Sequence, residues 1–219
     1  MTDLERILGY LPDLWGGLQL TVFLTFTGMS LALVIGLVIA LARLDPRRKF
    51  LTWPARAFVE IIRGTPLLLQ LFYIFYVLPS FGIRLDRLVA GILGLGLNTG
   101  AYLSEVFRSG IDAVQKGQWE AADALGMPTG LTLRHIVLPQ ALRIVIPPVG
   151  NYFISMFKDT ALVATISVPE LLFSGQLLAA QSFRYLEIYS LIFVMYLVIS
   201  YPASLGVRWI ERRLRISTR

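Results

Sequence analysis

Residues 14–42 read LWGGLQLTVFLTFTGMSLALVIGLVIALA, without one charged side chain. At about 1.5 Å per residue, a helix over this run exceeds a hydrocarbon core of about 30 Å, so the run reads as a membrane span. The rest of the chain agrees. Of its 219 residues 56% are hydrophobic and 16% charged, and the mean hydropathy is +0.67, too apolar for an ordinary soluble domain of this size. The leading stretch MTDLERILGYLPDLWGG sets Asp3, Glu5 and Asp13 against Arg6. It lacks the basic start of a secretory signal and is read as mature sequence. No cysteine occurs, so disulfides, thiolate metal sites and cysteine nucleophiles are excluded.

Four further runs follow outward from the first. Residues 64–83 are uncharged and come after an amphipathic stretch, TWPARAFVEIIRG, whose Phe58, Ile61 and Ile62 share one helical face. A second span is placed over about 60–83. The third, about 88–105, is glycine-rich (LVAGILGLGLNTGAYLS) and is expected inside the bundle, because small residues let helix backbones approach closely. The fourth, about 143–166, is interrupted by Lys158 and Asp159 and is expected to be short or broken at Pro147 and Pro148. Residues 187–208 form the fifth, with Arg208 and Trp209 as interfacial anchors. The expectation is therefore an all-α membrane protein: one domain over 1–219, with five transmembrane helices and a large loop at about 106–142.

An odd number of spans puts the termini on opposite sides. With the N-terminus outside, fifteen of the twenty basic residues fall inside: Arg43, Arg47, Arg48, Lys49, Arg56, Arg63, Arg108, Lys116, Arg134, Arg143, Arg208, Arg212, Arg213, Arg215 and Arg219. Basic residues concentrate on the cytoplasmic side, so the C-terminus and the 106–142 loop are expected there. Topology accounts for the net charge of +6, and nucleic-acid binding is disfavoured.

The loop has structure of its own. Glu105, Arg108, Asp112 and Lys116 alternate in sign at helical spacings, which predicts a helix leaving the membrane with one solvated face. A second helix over QWEAADAL is expected to end at Gly126, a natural left-handed cap. Thr129 is expected to cap a third, GLTLRHIVL, that stops at Pro139.

Glu120-Ala121-Ala122, then Gly126, Ile136 and Leu138-Pro139, fill every position of one spaced signature. It resembles the cytoplasmic "EAA" loop of the membrane subunits of ATP-binding-cassette importers. IIRGTPLLLQLF (61–72), NTGAYLSEVFRSGIDAVQKGQ (98–118) and FKDTALVATISVPEL (157–171) are similar to the polar amino-acid permeases, the group of histidine, glutamine, glutamate and arginine importers. The resemblance implies the type I ABC importer permease fold in a bacterial cytoplasmic (inner) membrane. It also implies a coupling helix that docks on an ATPase subunit through Glu120, Ala121, Ala122 and Gly126. The implied partners are ABC ATPase subunits holding ATP and Mg, a second permease copy (the same chain or a homologue), an extracytoplasmic substrate-binding protein, an amino-acid substrate and membrane lipid.

No Gly-x-x-x-x-Gly-Lys-Ser/Thr motif occurs, so ATP hydrolysis by this chain is not expected, nor is a cofactor of its own. Polar groups at membrane depth usually face a cavity or a partner helix. Substrate-path candidates are Gln70, Asn98, Thr99, Asn151 and Ser155, the Lys158-Asp159-Thr160 cluster for a zwitterionic head group, and Glu105 for a cationic side chain; a plain interhelical hydrogen bond or surface ion pair is the competing reading for each. His135 is the only histidine, and no metal site is expected around it. Two other functions compete with the importer reading. An ion-coupled secondary transporter needs buried acids, which the sequence does not reveal. An intramembrane hydrolase needs a base beside its serine, and the only histidine lies far from any span.

Overall fold

The computed structural model describes residues 3–44 and 48–214, and every regular element among them is helical. Of the basic residues used for orientation, Arg47, Arg215 and Arg219 lie outside the described residues. Helix α1 (Asp3–Ala42) carries the charge-free run, and at 40 residues is about 60 Å long. Its main partner is α4 (Arg87–Asp112). The two backbones meet through glycine. A Cβ on Gly100 would come within 2.8 Å of Ile35 Cγ2 and 3.3 Å of the Ala32 carbonyl, and one on Gly36 within 3.1 Å of the Gly100 carbonyl. The glycine-rich α4 is enclosed as expected, with Ala90, Leu95, Thr99, Ala101, Leu103 and Ser104 buried.

Between these helices the chain does not make the single element expected over 60–83. Amphipathic α2 (Lys49–Arg63) stops at Gly64, and α3 (Leu67–Phe72), extended by a π turn (Tyr73–Val77) and a 3-10 turn (Leu78–Phe81), leaves at 108°. Pro66 forces the break, since the residue before a proline is driven out of the helical region. Gln70 then fills the elbow, its Nε2 donating to the carbonyls of Ile62 (2.8 Å) and Thr65 (3.1 Å).

After α4 come α5 (Lys116–Ala124) and α6 (Thr129–Thr132), which passes through a π turn (Leu133–Val137) into α7 (Leu138–Asp159). Three expectations are corrected here. Thr129 caps nothing: Pro128 occupies the N-cap position without a side-chain bond. The helix does not stop at Pro139, because the wider π turn just before it relieves the clash of the ring with the preceding carbonyl. The same device precedes Pro79 in the Leu78-Pro79 pair. Nor do Pro147 and Pro148 break α7, whose packing on α4 and α9 holds the turn despite two missing donors. The break comes later. A 3-10 stretch (Thr160–Ile166) ends at Ser167, and α8 (Leu171–Ser182) sets off at 53° before α9 (Tyr185–Leu214).

Among the described residues, Gly9–Ala42 and Tyr185–Arg213 are each long and apolar enough to cross a membrane, and each bent pair adds a crossing if it counts as one span. The interior α4 does not meet that test. Its glycines and polar residues serve helix packing rather than contact with lipid. Leu24, Leu71, Leu95, Val163 and Ile166 join α1, α3, α4 and the 3-10 stretch in one core; Leu14, Leu171, Ile188 and Ile192 join α1, α8 and α9 in another.

Candidate coupling surface and substrate path

The 106–142 segment is a folded knuckle at one end of the bundle. α4 extends past its apolar part to Asp112, and Arg108 ties the charged turn together, donating to Glu105 at 2.9 Å and Asp112 at 2.7 Å. The hydrogen bond to Glu105 raises the Arg108 pKa above its ordinary value. Lys116 does not continue this ladder but opens α5. A small core of Val114, Val137 and Ala141, flanked by Ile111, Trp119 and Leu133, fixes the knuckle to α4 and α7.

The end of α5 is closed by its backbone. Gly126 adopts φ +70°, its N–H donates to the Asp123 carbonyl (2.8 Å), and the Met127 N–H reaches back to the Ala122 carbonyl (3.0 Å). That pair of bonds is a Schellman cap, which needs the left-handed residue a glycine supplies. The four docking candidates separate accordingly. Glu120 and Ala121 are exposed, Ala122 is buried beneath the helix, and Gly126 shapes the tip. Sequence reasoning missed Leu125, a leucine 79% exposed at that tip. Its signal was an apolar side chain directly before the cap glycine of a polar loop. Glu120 and Asp123 line a cavity of about 290 Å³ with Trp119, Met127, Thr129 and Thr132, giving the knuckle an acidic recess.

The substrate-path candidates do not form one site. Asn98 donates to Gln70 Oε1 at 3.1 Å, so these two join α4 to the elbow. Thr99 is buried in α4, Asn151 is exposed and Ser155 is half-buried on α7. Thr160 is fully buried, with its hydroxyl on the Phe157 carbonyl (2.7 Å). Lys158 is exposed and borders a cavity with Phe193, Tyr196 and Leu197 on the α9 side, while Asp159 is half-buried. Glu105 is already surrounded by cations: Arg43 and Arg108 hydrogen-bond it and Arg63 lies 4.0 Å away. It ties the ends of α1, α2 and α4 together. Beside it is a cavity of about 390 Å³ between α4 and α7, bordered by Arg63, Tyr102, Pro148 and Tyr152. Arg63 lies 5.3 Å over the Tyr102 ring, which stacks on Tyr152 at 5.9 Å.

One buried acid escaped the sequence reading, which found none for ion coupling to use. Glu170 is 0% exposed. Its carboxylate accepts from the Phe173 N–H (2.8 Å), the Tyr196 hydroxyl (2.7 Å) and, at 3.4 Å, the Thr21 hydroxyl. It caps α8 and pins it to α1 and α9. The signal lay in Val168-Pro169-Glu170, an acid directly after an apolar run, inside the 157–171 stretch that the permease resemblance covers without giving Glu170 a role. His135 is exposed with Nδ1 3.2 Å from the Leu131 carbonyl, and no metal-ligating cluster occurs among the described residues.

The sequence model of a family described as binding-protein-dependent transport system inner membrane component matches residues 32–216. The chain belongs to this family. It is 43% identical over 204 residues to the L-cystine transport system permease protein TcyB of Bacillus subtilis, covering 93% of this chain and 87% of that one. It is 38% identical over 220 residues to the glutamine transport system permease protein GlnP of Escherichia coli, covering 98% of each. A crystal structure of an amino acid ABC transporter with histidines superposes with a TM-score of 0.92 at 36% identity, over 97% of this chain and 99% of that chain. The family therefore joins an all-helical permease fold of the type I importer kind to the knuckle described above.

Proposed function

We propose that this chain is the translocation subunit of an ATP-driven importer of polar amino acids in a bacterial inner membrane, with five spans, the N-terminus outside and the C-terminus in the cytoplasm. The knuckle is the docking element for a separate ATPase subunit, which binds and hydrolyses ATP with Mg. Glu120, Ala121 and the Gly126-shaped tip meet that subunit, while Ala122 packs the helix from below. The observation that carries the reading is the Schellman-capped, exposed α5 packed through a small core between α4 and α7, in a chain of the binding-protein-dependent transport family. A second permease copy, the same chain or a homologue, completes the pathway, and a substrate-binding protein delivers the amino acid from outside. The ATPase biases two conformations through contacts that differ between them, which is the only way docking can do work on the membrane domain.

Within that pathway, the cavity between α4 and α7 bordered by Arg63, Tyr102 and Tyr152 is the best substrate passage, because aromatic and charged groups converge there. Asn151, Ser155, Lys158, Asp159 and Thr99 remain path candidates in the paired assembly. Replacing Gly126 by tryptophan tests the docking reading. The expected result is loss of ATPase association and of uptake together, with the chain still folded in the membrane. Normal association and uptake would overturn it. Proteoliposomes holding this chain alone are expected to show no uptake under an ion gradient.

A further inference from the structure

Helix α2 meets α3 at 108°, so where α3 crosses the bilayer, α2 lies along its surface. Its fifteen residues divide into three faces. Thr52, Ala55, Val59 and Ile62 recur at helical spacing and turn toward the bundle. Phe50, Trp53 and Ile61 point away from it, 90, 77 and 64% exposed among the described residues. Lys49, Arg56 and Glu60 form an exposed stripe between those two faces, and Arg63 extends it toward Glu105. Trp53 sits at the edge of the charged stripe, where an indole belongs in a membrane interface. A helix in water would leave the aromatic face unburied, and an apolar protein groove would not answer the adjacent cations. An anionic lipid leaflet answers both, offering acyl chains to one face and negative head groups to the other.

We infer that α2 is a docking site for anionic phospholipid on the cytoplasmic leaflet, with Phe50, Trp53 and Ile61 in the acyl boundary and Lys49 and Arg56 on the head groups. The leaflet assignment rests on the orientation proposed above; the lipid contact does not. Because the chain has no cysteine, Ala57→Cys provides a single labelling position on the apolar face. The full chain, nitroxide-labelled there, is reconstituted in phosphatidylcholine with and without phosphatidylglycerol. The label is expected to be open to oxygen and shielded from a nickel chelate. Phosphatidylglycerol retained by the purified chain is expected to fall about five-fold in each of Lys49→Gln and Arg56→Gln and to persist in Lys49→Arg and Arg56→Lys. A label open to the chelate, a label shielded from both probes in dilute bilayers as a protein partner would cause, or unchanged lipid retention overturns the inference. An impermeant thiol reagent reaching position 57 from outside would instead defeat the orientation, leaving the lipid result to be judged separately.

Discussion

Replacing Glu170 separates a structural acid from a transported proton. In Glu170→Ala three donors lose their acceptor at a site with no exposure: the Phe173 N–H, the Tyr196 hydroxyl and the Thr21 hydroxyl. An unsatisfied buried donor costs about 1–3 kcal/mol. The Thr21 contact is long and the Phe173 and Tyr196 bonds are part-buried, so the upper end is not reached and a total loss of about 3–5 kcal/mol is expected. Glu170→Gln behaves differently. The amide can turn its oxygen to the Phe173 N–H, which can only donate, and its NH2 to the Tyr196 oxygen, which can switch to accepting. The expected cost is then about 1 kcal/mol. Thermal unfolding in detergent, read by fluorescence, gives the comparison: at about 2–4 °C per kcal/mol for a chain of this size, the alanine variant melts about 6–20 °C lower and the glutamine variant a few degrees lower. Uptake by the assembled transporter follows the amount of folded protein in both. A glutamine variant that is as stable as the parent yet abolishes uptake would refute a purely structural role and restore an ion-coupled one.

Three further perturbations test the packing around the knuckle and the elbow. Glu105→Gln weakens charge-assisted bonds to the Arg43 and Arg108 guanidiniums, both part-buried, and is expected to cost about 2 kcal/mol in chemical denaturation; an unchanged midpoint contradicts the cluster. Gly100→Leu drives a side chain into Ile35 and the Ala32 carbonyl, and a loss of about 1–3 kcal/mol with reduced membrane yield is expected, whereas Gly9→Leu, with open space at its Cβ, is neutral in the same expression assay. Gln70→Leu removes the donors that fill the 108° elbow and the acceptor for Asn98. It is expected to raise protease sensitivity at residues 63–66 more than Asn98→Ala, which keeps the elbow bonds.

The membrane class, the interior place of α4 and the knuckle were legible because each depends on local sequence: an uncharged run, a stripe of glycines, a cap glycine at fixed spacing. What was missed depends on partners distant in sequence. Gln70 was read as a path residue because nothing near it reveals that its amide fills a broken turn. The Arg108 partner of Glu105 is legible at helical spacing, but its tie to Arg43 is not, because Arg43 is sixty-two positions away. Glu170 was passed over because its ligands come from α1 and α9. Proline was misjudged in both directions. Pro66 breaks a helix that hydrophobicity alone would continue, while Pro139, Pro147 and Pro148 sit inside helices that a π turn and neighbouring helices sustain.

In the proposed function the α5 tip touches an ATPase in the cytoplasm. Leu125→Cys, carrying a benzophenone in this cysteine-free chain, tests it by photo-crosslinking in membranes that also contain the ATPase subunit. A crosslinked product of this chain with the ATPase is expected, reduced when Gly126→Trp is added. Labelling of Leu125→Cys by an impermeant reagent on intact cells, with no ATPase adduct, would contradict it.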